Sequence, residues 1–201
     1  VIGPAVYVHP SAIVECDTVG PGTRIWAFAH VLKGALIGRN CNICDHCFIE
    51  GNVRIGDNVT VKTGVSLWDS VTIEDDVFIG PCVAFTNDIY PRSKRYPERY
   101  VPTLVRKGAS LGANCTIVAG VTIGVYAMVG AGTVVTRDVP DFALFYGNPG
   151  RVRGYACKCA KVLRFANRRR MTCECGEGYQ LRKGAWVNVA EASRDRIRQS
   201  R

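Results

Sequence analysis

Ten cysteines and three histidines are the first candidates for chemistry. Four cysteines near the end, Cys157, Cys159, Cys173 and Cys175, form two C-x-C pairs with thirteen residues between them. Four thiolates could hold a tetrahedral zinc, although the usual knuckle spacing is C-x2-C. Free thiols are the rival reading. Cys41, Cys44 and Cys47 spell C-x2-C-x2-C, the spacing of part of an iron–sulfur ligand run. His9, His30 and His46 lie 21 and 16 positions apart and give no compact ligand set. The other candidate is a polar stretch, Thr86-Asn87-Asp88-Ile89-Tyr90-Pro91-Arg92-Ser93, which continues to Val101-Pro102 and holds three prolines. Long loops on a rigid scaffold tend to carry function.

The element that must position these residues is a repeat. An apolar residue recurs every six positions: Ile13, Val19, Ile25, Val31, Ile37, Ile43, Ile49, Ile55, Val61, Leu67, Ile73, Ile79 and Phe85. After the polar stretch the beat returns at Val105, Leu111, Ile117, Ile123, Val129 and Val135. Four positions on there is usually a small or β-branched residue, among them Thr23, Ala29, Ala35, Cys41, Cys47 and Val53. A period of six is not helical. Each hexad reads as a short strand plus a corner, and only stacked coils can bury the apolar side chains. Gly20, Gly38, Gly56, Gly80, Gly112, Gly124 and Gly130 follow the apolar residue, where a turn with positive φ is expected. The beat also explains cysteines. Cys41, Cys47 and Cys115 fall on the small inward position, where free Cys behaves as a small hydrophobe.

Composition bounds the rest. The chain has 201 residues, 47% hydrophobic and 21% charged, which suits one soluble core. No apolar run reaches membrane-spanning length, so no membrane insertion is expected. No secretion signal is visible, so reduced thiols or metal ligands are expected rather than disulfides, in a cytoplasmic setting. The net charge of +9 is uneven. Residues 1–150 hold 12 Lys/Arg against 13 Asp/Glu, and residues 151–201 hold 14 against 4, a net of +10. The one dense basic run, Arg168-Arg169-Arg170, reads as a solvated turn rather than a nucleic-acid patch. From Ala190 onward the tail is polar and is expected to be frayed or helical.

These hexads resemble the hexapeptide-repeat acyltransferases. The resemblance implies an all-β fold, a left-handed parallel β-helix with 18 residues per coil. The domain would span 1–152, with the loop insertion at 86–104 and a basic, Cys-rich extension at 153–201. Backbone physics alone would favour a right-handed crossover, so handedness comes from the resemblance. Asp75-Asp76-Val77-Phe78, Gly80-Pro81, Phe85-Thr86-Asn87, His9-Pro10-Ser11-Ala12 and Gly22-Thr23-Arg24-Ile25-Trp26 are similar to the subgroup that N-acetylates nucleotide-linked 3-amino sugars. That subgroup commonly has His after the Trp, and this chain has Ala27. Gly130-Ala131-Gly132-Thr133-Val134-Val135-Thr136-Arg137-Asp138-Val139-Pro140 and Gly147-Asn148-Pro149-Gly150-Arg151-Val152 resemble the signature of the wider family, with Gly150 where Ala is usual.

The resemblance implies acetyl-CoA as cosubstrate and a UDP- or dTDP-linked 3-amino sugar as acceptor, in surface polysaccharide (O-antigen) biosynthesis. Ala113 and Ala131 would line the pantetheine arm; Thr136, Arg137 and Arg151 would meet the nucleotide end and phosphates of CoA. At 18 residues per coil, Glu15, Lys33, Gly51, Asp69 and Asn87 share one column. Several members use a His base in the loop; Asn87 stands there instead. Asn87 would orient the amine and Asp69 would hold the ammonium or accept its proton. Asp88, Glu15, Lys33, Arg24 and His30 are expected on the sugar nucleotide. Homotrimers with sites between subunits follow from the same resemblance. A zinc carbonic anhydrase on this repeat would need three converging histidines, which the spacing denies. Two rivals stay open: an O-acetyltransferase, which would need the missing loop His, and a β-helical scaffold with a zinc-ribbon interaction module. Interleaved aromatics for nucleic-acid stacking are absent, so no nucleic-acid partner is expected.

Overall fold

A computed structural model describes residues 4–164, 169–182 and 185–190. The chain winds as a parallel β-solenoid whose two- or three-residue strands stack into three flat faces. Face 1 carries Tyr7–Val8, Arg24–Ile25, Asn42–Ile43, Thr60–Val61, Phe78–Ile79, Ser110–Leu111 and Met128–Val129. Face 2 carries Ile13–Val14, His30–Val31, Phe48–Ile49, Ser66–Leu67, Ala84–Phe85, Thr116–Ile117 and Val134–Val135. Face 3 carries Thr18–Val19, Leu36–Ile37, Arg54–Ile55, Val71–Ile73, Thr103–Val105 and Thr122–Ile123. Register is 18 residues per coil, as in Ile43 beside Val61 and Val61 beside Ile79.

The inward side chains build one continuous core. Aliphatic residues from Val19 to Val135 are buried at the hexad positions, and Thr23, Ala29, Ala35, Cys41, Cys47 and Cys115 fill the small positions. Cys41, Cys44 and Cys47 are therefore no ligand set: the outer two point inward and Cys44 sits half-buried on a corner, its sulfur accepting from Asn42 Nδ2 at 3.4 Å. Burial pushes the Cys47 thiol up to about 11 and that of Cys115 to about 12. They are packing groups.

Two sequence expectations need correction. The beat does not begin at Ile13, which is 55% exposed. Val14 pairs with Val31 and Val8 with Ile25, so the first coil is one residue short. Adjacent Ile13 and Val14 are both aliphatic, and only coil stacking selects between them. Glu15 is consequently in register with Leu32, and the expected column starts at Lys33. The second correction concerns glycine. The positive φ angles fall two residues later, at positions such as Gly22, Asn40, Asn52, Asn58, Gly64 and Gly132. Gly38 and Gly112 are needed for another reason. A Cβ on Gly38 would lie 2.4 Å from the Gly56 carbonyl oxygen, and one on Gly112 would lie 2.4 Å from the Ala131 nitrogen. At these two glycines the corner backbones of successive coils approach too closely for a side chain.

Past the last complete coil, Ala143–Gly147 joins face 1 in parallel beside Met128–Val129. The chain then turns back antiparallel through Gly150–Ala156 and Val162–Leu163. Gly150–Ala156 runs across position 152. A separate antiparallel sheet of Arg170–Thr172, Gly178–Arg182 and Ala185–Asn188 follows. Arg168 and the whole polar stretch after Ala190 lie outside the described residues. Among the described residues, no helix is long and apolar enough to cross a membrane.

Candidate active site

The interruption in the beat is a loop that leaves face 2 after Phe85 and re-enters face 3 at Thr103. Its ends are pinned. Thr86 Oγ1 accepts the Ala119 N–H at 2.9 Å, and Thr103 Oγ1 accepts the Gly120 N–H at 3.0 Å. Below the loop, Trp68 Nε1 donates to the Phe85 carbonyl at 2.8 Å. Inside it, Asp88 Oδ1 accepts the Tyr90 N–H at 2.8 Å and closes a turn. Asn87, Asp88, Arg92, Arg95, Tyr96 and Tyr100 line an open cleft of about 400 Å³.

The corner between faces 2 and 3 places Lys33, Gly51, Asp69 and Asn87 on successive coils. Strand register carries the same column past the loop. Phe85 pairs with Ile117 and Ile117 with Val135, so Ala119 and Arg137 continue the line above Asn87. Asp69 is half-buried and firmly held. Its N–H donates to Glu50 Oε2 at 2.7 Å, and its carboxylate accepts from Asn52 Nδ2 at 3.0 Å and Ser70 Oγ at 2.9 Å. Each carboxylate oxygen keeps a lone pair for a ligand. His30, half-buried on face 2, stands 3.4 Å from Glu15 Oε1 and edge-on to Phe48. The Phe48 ring tilts against Trp68, which leaves a half-buried aromatic strip beside Asp69.

The expected CoA residues divide between corners. Ala113 and Ala131 occupy successive coils at the corner between faces 1 and 2, tied by the Gly132 N–H to the Ala113 carbonyl at 2.9 Å. Ala27 lies low in the same column. Arg151 is exposed on the antiparallel strand that extends face 1, its guanidinium bonded to the Gly150 carbonyl at 2.7 Å. Thr136 and Arg137 are exposed at the face 2–3 corner instead. Arg24 lies on face 1, away from the Asp69 column. One chain thus brings Asp69, Asn87, Asp88, Thr136 and Arg137 to one corner and Ala113 and Ala131 to another. Gly150 is forced: a Cβ there would lie 2.3 Å from the Phe145 ring.

The third corner, between faces 3 and 1, is structural. Asp57 Oδ1 accepts the Arg39 N–H at 2.8 Å, and Asp75 Oδ1 accepts the Asp57 N–H at 2.9 Å. The Arg39 guanidinium, 2.8 Å from Asp57, holds that carboxyl below the usual carboxylate range. Sequence reasoning missed Glu50, Asn52, Thr86 and Thr103. The signal for two of them was present: Glu50, Trp68 and Thr86 are spaced by 18 and share a column.

Comparisons with known proteins follow the same repeat. Family models match in two blocks separated by the loop. "Bacterial transferase hexapeptide (six repeats)" covers 18–51 and 52–87, and "Hexapeptide repeat of succinyl-transferase" covers 106–137. The dTDP-3-amino-3,6-dideoxy-alpha-D-galactopyranose 3-N-acetyltransferase of Aneurinibacillus thermoaerophilus is 61% identical over 178 residues, 89% of this chain and 92% of that protein. A shorter match, 45% over 51 residues, links 25% of this chain to 12% of the bifunctional protein GlmU of Thermotoga petrophila. The UDP-N-acetylglucosamine acyltransferase of Campylobacter jejuni shares the fold with a TM-score of 0.52 at 14% identity, over 77% of this chain and 69% of that one. The chain belongs to the bacterial hexapeptide-repeat transferases, in the subgroup of nucleotide-linked 3-amino-sugar N-acetyltransferases.

Proposed function

We propose that the protein moves the acetyl group of acetyl-CoA to the 3-amino group of a dTDP-linked 3-amino-3,6-dideoxyhexose. The observation that carries this reading is the relative of 61% identity across nearly its whole length. The neutral amine attacks the thioester carbonyl, the C–S bond breaks, and the amine's proton leaves with the CoA thiolate. An amine needs no strong base once deprotonated, which suits a loop with Asn87 in place of His. Asn87 orients the amine, and Asp69, fixed by Asn52 and Ser70, holds the ammonium and takes its proton. Positioning supplies much of the rate. Asp88, Lys33, His30, Glu15 and Arg24 are assigned to the sugar nucleotide. The Arg92 and Arg95 side of the loop cleft suits its diphosphate.

CoA would lie along Ala113 and Ala131, with Thr136, Arg137 and Arg151 at its nucleotide end. Because Ala113 and Ala131 share a corner that Asn87 does not, a complete site is built most simply between chains. A closed three-fold ring sets one corner of a chain against a different corner of the next. The reading is a homotrimer acting in the cytoplasm, in the supply of sugars for a surface glycan.

The test is an acetyl-transfer assay over dTDP- and UDP-linked sugars bearing amino or hydroxyl groups at C3, with products read by mass spectrometry. Turnover restricted to dTDP-linked 3-amino sugars is expected. Turnover of hydroxyl acceptors alone would make it an O-acetyltransferase, and no turnover with any amine would overturn the assignment.

A further inference from the structure

The four C-terminal cysteines sit in two turns of one design. In the first, the Cys157 N–H donates to the Lys161 carbonyl at 2.8 Å and the Ala160 N–H to the Cys157 carbonyl at 2.8 Å. In the second, the Cys173 N–H donates to the Glu177 carbonyl at 2.8 Å and the Gly176 N–H to the Cys173 carbonyl at 2.9 Å. The residue with positive φ is the equivalent one in each, Ala160 at 67° and Gly176 at 93°. An alanine in that region costs about 1–2 kcal/mol, so the first turn is held there against local preference. Each turn offers one buried and one exposed cysteine.

The two turns face each other. All four sulfurs lie within 4.8 Å of one another, with Cys157 and Cys175 at 3.4 Å and Cys159 and Cys173 at 3.7 Å. A disulfide would need about 2.05 Å. Four sulfurs at about 2.3 Å from a central zinc would stand about 3.8 Å apart at the edges of a tetrahedron. The surrounding hydrogen bonds are also those of a ligand cage. Buried Tyr179 donates its hydroxyl to the Cys157 sulfur at 3.1 Å and accepts the Lys158 N–H at 3.0 Å. Partners of this kind orient metal ligands. Among the described residues, no other group of Cys, His, Asp or Glu comes together in this way.

We propose that Cys157, Cys159, Cys173 and Cys175 bind one zinc ion, which fastens the C-terminal sheet to the end of the β-helix. The first pair belongs to the hairpin that extends face 1. The second lies between Arg170–Thr172 and Gly178–Arg182 of the small sheet. The apolar contact between the two parts is a small cluster of Phe142, Leu163, Tyr179 and Trp186 around the cysteines. Three short strands with so little core need a staple. The ion takes no part in acetyl transfer, because its ligands lie beyond the last coil and away from the Asn87 loop.

The test uses the full chain, produced with zinc in the medium and purified under reductant without chelator. Elemental analysis is expected to give one zinc per chain, released when a thiol-specific mercurial is added in excess over the ten thiols. Cobalt exchange is expected to give the charge-transfer absorption of a tetrathiolate site. C159S and C175S should each lose the zinc, and C82S should keep it. Hydrogen exchange on the stripped protein should show strands 170–172 and 178–182 losing protection while the coils keep theirs. Iron in place of zinc, less than about a tenth of an equivalent of metal, or Cys157–Cys175 and Cys159–Cys173 disulfides in non-reducing peptide maps would overturn the proposal. So would unchanged protection of the small sheet after zinc removal. The metal count on the wild-type chain stands even if the serine variants fail to fold.

Discussion

Asn87 and Asp69 differ in what their loss should do. Asn87→Ala removes an orienting group and is expected to lower kcat/KM on the order of 100-fold. Asp69→Ala removes a charge partner and proton acceptor and is expected to cost on the order of 10²–10⁴-fold. Steady-state kinetics with the dTDP-linked amine checks both, and wild-type values for the pair would remove them from the site. Asp69→Ala also deprives Asn52 and Ser70 of their acceptor, so circular dichroism should accompany the assay. Gly150→Ala belongs to the same scale. The added methyl meets the Phe145 ring and the Thr133 methyl, and about 1–3 kcal/mol of destabilisation is expected in thermal unfolding. The sequence flagged Gly150 only as a departure from the family pattern. The reason, a ring packed against the backbone, needed coordinates.

The coil is the next scale, and its threonines make a controlled comparison. Thr23 and Thr133 both fill small inward positions and are fully buried. The Thr23 hydroxyl donates to the Gly38 carbonyl at 2.7 Å and accepts the Cys41 N–H at 3.0 Å. The Thr133 hydroxyl has no partner. Thr23→Val should therefore cost about 1–3 kcal/mol, since it strands two buried backbone groups, and Thr133→Val should be neutral or stabilising. Chemical denaturation of the two variants decides it, and equal losses would contradict the bonding pattern. The hexad position of both residues was legible in the sequence, because the inward slot recurs every six residues. Their bonds were not, because the partners sit on other coils. The same limit hid Thr86 and Thr103. Each looked like an ordinary polar residue at a loop end until its acceptor role toward Ala119 or Gly120 appeared.

At the scale of the whole molecule, the division of site residues between two corners has a direct consequence. An Asn87→Ala chain keeps its Ala113–Ala131 corner, and an Ala131→Trp chain, blocked there, keeps its Asn87 corner. If each site is built from two chains, equal mixing of the two inactive variants should restore about a quarter of the wild-type activity. Co-expression followed by assay and light-scattering mass measurement checks this, and no recovery from trimers that do mix would place the site within one chain.

The sequence by itself determined the solenoid, because a buried aliphatic slot every six residues leaves no other periodic element that could hide it. It also marked the loop, where the slot goes unfilled, and the two thiol pairs near the end. Tertiary structure decided the rest. Stacking chose Val14 over Ile13 and so shifted Glu15 out of the column. Close approach of neighbouring coils, rather than turn geometry, required Gly38 and Gly112. Packing of the last coil against the small sheet brought four distant sulfurs within bonding range of one ion. Each of these is a contact between residues well separated in the chain, and local residue type carries no information about which of them will meet.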